Sequence, residues 1–215
     1  VQQLTTSKTT HGYMGMTDFR GEVIRAFQDG GWQFNGEVTV WKDPQAQSIR
    51  TRSHALAFAT KNRDSAGTRP ALADYLLLFK KPGDNAVPIS PDVSNEEWIE
   101  WAHPIWHGIR ESNTLQYQSA RDNDDERHIC PLQLDVIRRF IDLRTNPGEI
   151  VFSPFAGVGS EVYGAVQLGR RGVGAELKPS YYRQAVKNLA YASNRDVDEM
   201  SWLDQVLDEP EAVEA

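Results

Sequence analysis

The feature that most constrains the fold is a segment at 149–176 in which two apolar stretches flank a glycine-rich turn and a helical stretch. Residues 149–152 are a predicted strand, 153–160 the turn, and 171–176 a second strand, with a helix ending near Gly169 between them. Strands that alternate with helices in this way form parallel sheets joined by crossover helices. With helices predicted at 131–143 and 181–192, the second half of the chain belongs to the α/β class.

The turn has the chemistry of a nucleotide-type cofactor site. Gly157 and Gly159 allow a sharp turn and a close approach of the backbone to a ligand, and the next helix points its N-terminal N–H groups at the same place. Glu176 ends the following strand, where its carboxylate can accept hydrogen bonds from both hydroxyls of a ribose. The dinucleotide fingerprint requires a third glycine where Val162 stands, so an NAD site is disfavoured.

These motifs and their order resemble the amino-methylating DNA methyltransferases, which transfer a methyl group from S-adenosylmethionine to adenine N6 or cytosine N4. The resemblance rests on the run FSPFAGVGS at 152–160, on the run GAE at 174–176, on Tyr182, and on the preceding run CPLQ at 130–133. It is closest over 128–192 and looser over 32–42 and 72–81. The whole chain is similar to the C-terminal part of phage-type methylases.

The resemblance implies a fold and a domain organisation. The expected fold is α/β, with a Rossmann-like methyltransferase sheet that is mostly parallel, has helices on both faces and is incomplete at the N-terminus. A single methyltransferase-like domain is expected over 1–192, with a cofactor subregion at 128–192 and a basic loop region at 42–71. Residues 193–215 are expected to be an acidic, disordered tail.

The resemblance also implies S-adenosylmethionine as the cofactor and assigns its contacts. Phe155, Gly157 and Gly159 would lie along the methionine and ribose, Glu176 would take the ribose hydroxyls, and Pro131 would close the methionine end. The full set of expected cofactor-binding residues is Pro131, Ser153, Pro154, Phe155, Gly157, Gly159, Ser160 and Glu176.

Two departures from the family pattern stand out. The family carries an aspartate where this chain has Ser153, and that acid usually faces the charged end of the cofactor. The family's catalytic signature, [D/N/S]-P-P-aromatic, is absent, because no Pro-Pro pair occurs in the 215 residues. We therefore assign no catalytic residue and expect the signature upstream of Val1. The choice between adenine and cytosine stays open, because that signature mostly decides it.

The function implied is site-specific DNA methylation of the restriction-modification type, with this chain supplying the cofactor site and part of the DNA face. The alternative is a non-catalytic nucleic-acid-binding or interaction module with a degenerate methyltransferase fold. Methylation of RNA or of a small molecule is a weaker third interpretation.

The charge distribution fits double-stranded DNA as the partner. Residues 193–215 carry eight acids and one base and so account for the whole net charge of −7, which leaves the rest of the chain neutral. Between Lys42 and Lys81, eight bases face three acids. A loop exposed to solvent is the ordinary explanation of such a segment. Arg and Lys side chains that reach the DNA backbone at roughly regular intervals can also contact its phosphates. The predicted DNA-binding residues are Arg50, Arg52, Lys61, Arg63 and Arg69.

The first half predicts a helix at 18–28 capped by Asp18, a strand at 32–41, and a long loop over 43–70 with a short strand at 55–60. The apolar run 75–79 predicts a strand buried on both faces, and Ser94 with Glu97 predicts a capping box. A sheet lacking its central strands exposes edges, which a homodimer could cover.

The cysteine and histidine content and the lengths of the apolar runs limit the expected location and partners of the chain. A single cysteine, Cys130, excludes an internal disulfide and a cysteine-rich zinc site, and it favours a reducing, cytoplasmic location. No apolar run reaches the length of a membrane span. The five histidines do not form a metal-binding pattern, so neither a membrane nor a metal is expected as a partner.

Overall fold

The structure is a computed structural model of the 215-residue chain that describes residues 4–6, 15–51, 53–120 and 131–192. These residues divide into two units. The first unit is drawn from 1–84 and 102–108, and the second from 85–101 and 109–215. The expectations for residue 52, for Cys130 and His128, and for the acidic tail at 193–215 fall outside the described residues. The assignment of 1–192 to a single domain stays a prediction.

The first unit begins with a short hairpin and a helix. Strands β1 (Leu4–Thr6) and β2 (Gly15–Thr17) pair antiparallel. Helix α1 (Phe19–Asp29) starts as predicted, because the Asp18 carboxylate accepts a hydrogen bond from the Gly21 N–H at 2.9 Å. Acceptors of this kind satisfy N–H groups that have no partner within the helix.

A mixed three-stranded sheet follows in the first unit. Strand β3 (Gln33–Val40) pairs antiparallel with β4 (Asp74–Lys80) and parallel with β5 (Ile105–Trp106). The strand predicted around 75–79 is confirmed, but its burial on both faces is wrong. Strand β4 lies at an edge of this sheet, and its side chains from Asp74 to Phe79 are half-buried.

The prediction of a long loop with a short strand at 55–60 is also wrong, because helices occupy this segment. Helix α2 spans Pro44–Thr51 and helix α3 spans Phe58–Arg63, with single 3-10 turns beside α3. The Asp43 carboxylate accepts hydrogen bonds from the Gln45 and Ala46 N–H groups at 2.7 and 3.2 Å and so starts α2. An acceptor followed directly by proline is a helix-start signal that the sequence does contain.

The second unit contains helix α4 (Asn95–Trp101) and the α/β segment. The predicted capping box is confirmed: Ser94 Oγ accepts from the Glu97 N–H, and Glu97 Oε2 accepts from the Ser94 N–H, both at 3.1 Å. Helix α5 spans Leu134–Arg144. It begins three residues later than predicted, because Pro131, Leu132 and Gln133 lie outside the helix.

Two parallel strands and two helices complete the second unit: β6 (Ile150–Ser153), α6 (Ser160–Gln167), β7 (Arg171–Gly174) and α7 (Pro179–Ala192). Strand β6 pairs with β7 so that Ser153 lies opposite Gly174. Ile137 and Ile141 of α5 pack against Ala165 of α6 to form a buried cluster. This parallel β6–α6–β7 unit confirms the α/β class, with the crossover helix where the sequence predicted it.

Candidate functional site

The turn between β6 and α6 is held in one conformation by backbone hydrogen bonds. Ala156 N–H donates to the Ala175 carbonyl at 2.9 Å, and Gly159 N–H donates to the Ala156 carbonyl at 2.7 Å. Gly157 has φ 55° and Gly159, the N-cap of α6, has φ 89°, a region that favours glycine. The turn therefore sits at the carboxyl ends of two parallel strands, the usual place for a ligand in an open α/β sheet.

Glu176 closes the turn from the end of β7. Its Oε2 accepts a hydrogen bond from the Gly157 N–H at 2.9 Å, and its Oε1 accepts one from the Lys178 N–H at 2.7 Å. A carboxylate has about four lone-pair directions. Both oxygens of Glu176 can therefore still accept hydrogen bonds from a ligand.

Close packing leaves no room for larger side chains behind the turn. A Cβ at position 174 would lie 2.7 Å from the Ala156 Cβ. A Cβ at position 159 would lie 3.1 Å from the Ala185 Cβ, in addition to the strain of its positive φ. Glycine is therefore required by packing at 174, and by both backbone conformation and packing at 159.

Two buried polar residues of α7 support the turn, and they are absent from the sequence-based predictions. Asn188 Nδ2 donates to the Val158 carbonyl at 2.9 Å, and Gln184 Nε2 donates to Asn188 Oδ1 at 2.9 Å. Their spacing of four residues puts both on one face of the helix. The sequence signal that could have indicated this support is a pair of polar residues on the buried face of an amphipathic helix.

Two large apolar side chains beside the turn are exposed. Phe155 is 88% exposed within the turn and Leu177, directly after Glu176, is 99% exposed. A planar ring of a ligand can pack against apolar side chains of this kind. The carboxylate between them can accept hydrogen bonds from hydroxyl groups of the same ligand. Leu177 was not predicted, although its position after the strand-end acid was a usable signal.

A second carboxylate lies at the other end of the turn. Ser153 is buried as the last residue of β6, and its side chain is hydrogen-bonded to the carboxyl of Glu161 in the first turn of α6. Burial raises the pKa of Glu161, against the opposing effect of hydrogen bonds from its own N–H and from Ser153. Ser160, the first residue of α6, is also buried.

The structure brings most of the predicted cofactor residues together. Seven of the eight lie within this turn or at the end of β7: Ser153, Pro154, Phe155, Gly157, Gly159, Ser160 and Glu176. Pro131 lies separately, ahead of α5. Leu134 of that helix packs against the cluster that contains Val158 of the turn. These assignments stay predictions about binding, because a shared location does not itself demonstrate a ligand contact.

The predicted DNA-binding residues lie in the first unit. Lys61 and Arg63 are exposed on α3, and no ion pair found in the described part of the chain involves either. Arg69 is half-buried and donates to the Pro70 carbonyl at 2.9 Å and to Ser53 Oγ at 3.3 Å. Arg50 belongs to α2. Lys42, counted in the basic segment, is buried and pairs with Asp74 at 2.7 Å, so it is not part of a free basic surface.

A cavity of about 430 Å³ lies in the first unit. Its walls are mostly apolar, and Lys42 and Arg69 contribute to them beside Trp41, Leu56 and Ile105. Trp41 is 49% exposed and its ring lies 6.0 Å from that of His107. This cavity combines an aromatic surface with basic groups.

Neither a metal centre nor a membrane span is found where the structure describes the chain. Residues 4–6, 15–51, 53–120 and 131–192 contain no group of three His, Cys, Asp or Glu residues placed to hold a metal ion. The helices among the same residues are too short or too polar to cross a membrane.

Comparison with known proteins links this chain to one family. The model of a DNA methylase family, N6_N4_Mtase, matches residues 6–187. The type II methyltransferase M.BglI of Bacillus subtilis is 32% identical over 171 residues, which cover 79% of this chain and 42% of that protein. The type II methyltransferase M.HindIII of Haemophilus influenzae is 26% identical over 190 residues, which cover 82% of this chain and 61% of that protein. The chain thus spans about half the length of these two relatives.

A solved structure supports the fold. A putative DNA modification methylase from Thermus thermophilus, complexed with S-adenosyl-L-methionine, superposes with a TM-score of 0.66 at 19% identity. The superposition covers 94% of this chain and 69% of that one. The likeness establishes a shared methyltransferase-type α/β architecture.

Proposed function

Because this chain belongs to the DNA methylase family whose model matches residues 6–187, we propose that it binds S-adenosylmethionine at the β6–α6 turn. We further propose that the protein methylates an exocyclic amino group of a DNA base, adenine N6 or cytosine N4. The observation that carries the proposal is the Glu176 carboxylate, hydrogen-bonded to the Gly157 N–H of the turn. It stands where a ribose would meet the ends of the two strands.

The residues around the turn fit the cofactor chemically. Glu176 would accept hydrogen bonds from the ribose hydroxyls, since a carboxylate accepts but does not donate. The exposed side chains of Phe155 and Leu177 would pack against the adenine and so lose their contact with water. Gly157 carries no Cβ, so its backbone leaves space for the ligand between these groups.

The contribution of the described residues is binding and orientation. S-adenosylmethionine supplies a methyl group on a positively charged sulfur, which leaves as a neutral thioether when the amino nitrogen takes the methyl and releases a proton. The turn would fix the ligand at the carboxyl ends of β6 and β7. Asn188 and Gln184 hold the Val158 carbonyl, and with it the turn, in place. Orientation of this kind lowers the entropic part of a bimolecular barrier.

The names of the relatives support DNA as the substrate. Two relatives are named type II methyltransferases, and the solved neighbour is named a DNA modification methylase. The exposed bases Lys61 and Arg63 on α3 are suited to phosphate contacts, which require positive charge but little geometric precision. We propose these two residues, with Arg50, Arg52 and Arg69, as the DNA face.

Calorimetry with S-adenosylmethionine and with its product S-adenosylhomocysteine tests the cofactor site. We expect binding by the wild-type protein and a loss of about a hundredfold in Glu176→Ala, because that variant loses two charge-assisted hydrogen bonds to the ribose. Glu149→Gln is a matched control, since Glu149 contacts Asn146 and lies outside the turn. Absence of binding at millimolar ligand, with no difference between wild type and Glu176→Ala, would refute the proposal.

A transfer assay tests the reaction. Radiolabelled methyl groups should appear in unmethylated double-stranded DNA, and nuclease digestion followed by chromatography should identify N6-methyladenine or N4-methylcytosine. Cofactor binding with DNA binding but without incorporation would favour the non-catalytic module instead. RNA of the same sequence is the control that separates the third interpretation.

A further inference from the structure

The connection between strands β3 and β4 is much longer than their pairing requires. The two strands are antiparallel neighbours, and Val40 at the end of β3 is the register partner of Asp74 at the start of β4. Such neighbours are commonly joined by a loop of about two to five residues. Here residues 41–73, the excursion, lie between them and form helices α2 and α3. Binding residues concentrate in surface segments of this kind, which a rigid scaffold positions.

The excursion is held together by its own hydrogen bonds. The buried Gln47 donates from Nε2 to the Leu72 carbonyl at 2.8 Å, and its Oε1 accepts from the Leu72 N–H at 2.8 Å. The Arg69 N–H donates to the Ala55 carbonyl at 3.1 Å. These bonds join the beginning of the excursion to its end, on both sides of α3. The helix is therefore presented from a fixed base.

Helix α3 exposes three chemically different side chains on one face. Phe58, Lys61 and Asn62 have the spacing i, i+3, i+4, which places them side by side on a helix. Phe58 is 66% exposed, and Lys61 and Asn62 are exposed too. Among the residues that the structure describes, Phe58 takes part in no ring contact and the Asn62 amide in no hydrogen bond. An aromatic ring, an ammonium group and a carboxamide are thus available together to a partner.

The charge of the excursion favours DNA as that partner. Residues 41–73 contain six bases and two acids, and a positive surface attracts the phosphate backbone. Phosphate contacts fix the position of a protein on DNA, but contacts to base edges carry the sequence information. An asparagine amide can bind N6 and N7 of adenine together in the major groove, and a phenylalanine ring can contact the methyl group of thymine. The face of α3 therefore combines a group for backbone contact with two groups for base contact.

We infer that Asn62 is a specificity-determining residue that reads an adenine of the recognition sequence in the major groove. Phe58 contacts the methyl group of a neighbouring thymine, and Lys61 contacts the phosphate backbone beside them. This inference rests on the proposed function, and it assigns sequence reading to α3 in addition to the general attraction of charge. The adenine that Asn62 reads is a part of the recognition sequence and need not be the base that is methylated.

Selection from a double-stranded DNA library of randomised sequence tests the role of Asn62. Sequencing the bound fraction should give one enriched sequence for the wild-type protein. Asn62→Ala should lose about a tenfold preference for adenine at one position and keep the other positions, the loss of one two-bond base contact. Asn62→Asp should favour cytosine at that same position, because a carboxylate accepts from the cytosine N4 amino group and cannot donate to adenine N7. A merely structural role of Asn62 would not change the preferred base.

Modified bases test the same contacts from the DNA side. Placing 7-deazaadenine at that position removes the N7 acceptor, so it should weaken wild-type binding and add nothing to the loss in Asn62→Ala. Deoxyuridine in place of the neighbouring thymine removes the methyl group and should behave in the same way towards Phe58→Ala. These substitutions leave the protein unchanged, so they test the inference even if a variant folds poorly.

Two further variants are controls. Asn35→Ala should keep the wild-type preference, because Asn35 is exposed near the start of β3, at the end of that strand remote from the excursion. Lys61→Ala should weaken binding to all sequences about equally.

The inference is overturned if Asn62→Ala enriches the same sequence as wild type with every position intact. It is also overturned if wild-type protein transfers methyl groups to DNA but enriches no sequence. Wild-type protein that neither binds DNA nor transfers methyl groups would refute the proposed function, and this inference with it.

Discussion

The two units of the molecule form their candidate surfaces by different means. In the second unit the turn at 153–160 is positioned by backbone hydrogen bonds to the end of β7 and by the close approach of Gly174 to Ala156. In the first unit the best-exposed residues of the candidate DNA face, Lys61 and Arg63, are side chains on the short helix α3. The first arrangement depends on geometry within the sheet, and the second depends mainly on the local positive charge of these side chains.

This difference determines how each surface should respond to substitution. A surface built on backbone geometry should fail when a single atom is added in the wrong place. A surface built on long charged side chains should lose function gradually, in proportion to the charge removed and to the salt concentration. Substitutions in each unit therefore test whether the two surfaces differ in this way.

The largest effect is expected from Gly174→Ala. The new Cβ would lie 2.7 Å from the Ala156 Cβ and 2.9 Å from Val162 Cγ2, so β7 or the turn must shift. We expect a loss of about 3 kcal/mol in the free energy of unfolding, the upper end for overpacking, together with weaker cofactor binding. Urea titration measures the first and calorimetry the second.

Gly67→Ala is the matched control for that substitution. Its Cβ would meet only the Thr60 Cγ2, at 3.4 Å, on the first unit. This variant should change stability by less than about 0.5 kcal/mol. If the two alanine variants were equally stable, the turn would not be a tightly packed element.

Asn188→Ala should have the next largest effect. The substitution leaves the buried Val158 carbonyl without its 2.9 Å hydrogen bond and removes the Oδ1 acceptor of the Gln184 amide. An unsatisfied buried group costs about 2 kcal/mol, and the turn should lose part of its rigidity. Thermal or urea unfolding measures the loss, and Asn62→Ala on the exposed face of α3 is the control. Equal stability of the two variants would show that α7 does not support the turn.

The candidate cofactor site was predictable because its parts are close in sequence. Gly157, Gly159 and Glu176 lie within 20 residues of one another in a strand–turn–helix–strand unit. The rule that parallel strands end at one edge brings these residues together. The site could therefore be predicted without knowledge of the tertiary packing.

The missed features depend on contacts that no local pattern reports. Asn188 reaches the Val158 carbonyl from 30 residues away, and on a helix an asparagine gives no indication of its acceptor. Glu161 resembles an ordinary first-turn acid until its hydrogen bond to Ser153 is known. The incorrect prediction of a loop over 43–70 has a different cause. The Asp43-Pro44 helix-start signal is local and can be read from the sequence, but the polar composition of the segment favours a loop over a helix.

The DNA face of the first unit should respond gradually. The double variant Lys61→Ala with Arg63→Ala should weaken binding to double-stranded DNA about tenfold at low salt and reduce the salt slope by about 1–2 units, as expected for up to two lost phosphate contacts. Its affinity for S-adenosylhomocysteine should not change. Fluorescence anisotropy across a salt series, combined with calorimetry, measures both quantities.

The control for the charge change removes the same two charges elsewhere. Arg183 and Lys187 are exposed on α7 of the second unit. Replacing both with alanine alters the net charge equally, but should leave the salt slope within experimental error. Equal losses in the two double variants would mean that net charge alone, and not the surface of α3, attracts DNA.

The smallest expected effect concerns the ion pair between Arg110 and Asp135, which lies in the first turn of α5. Arg110 binds the Asp135 carboxylate through its Nε and Nη2 at 3.1 and 2.8 Å, and Asn113 adds a bond at 2.8 Å. Burial alone would raise the pKa of Asp135, but these hydrogen bonds hold that pKa below its ordinary value. The contribution to stability is therefore present above the unfolded pKa of about 3.9 and is lost as the pH falls through the folded pKa.

Arg110→Ala should accordingly destabilise the protein at neutral pH by less than about 1 kcal/mol, because Arg110 is largely exposed and solvent screens the pair. The difference from wild type should shrink as the pH falls below about 4, since protonated Asp135 no longer attracts the arginine. Urea titrations at a series of pH values measure it. Arg171→Ala is the control, because Arg171 donates to the Gly148 carbonyl, which does not titrate. If the Arg110→Ala deficit were as independent of pH as that of the control, packing of the arginine and not its charge would hold the start of α5, and the second unit would rely on electrostatics even less than its turn suggests.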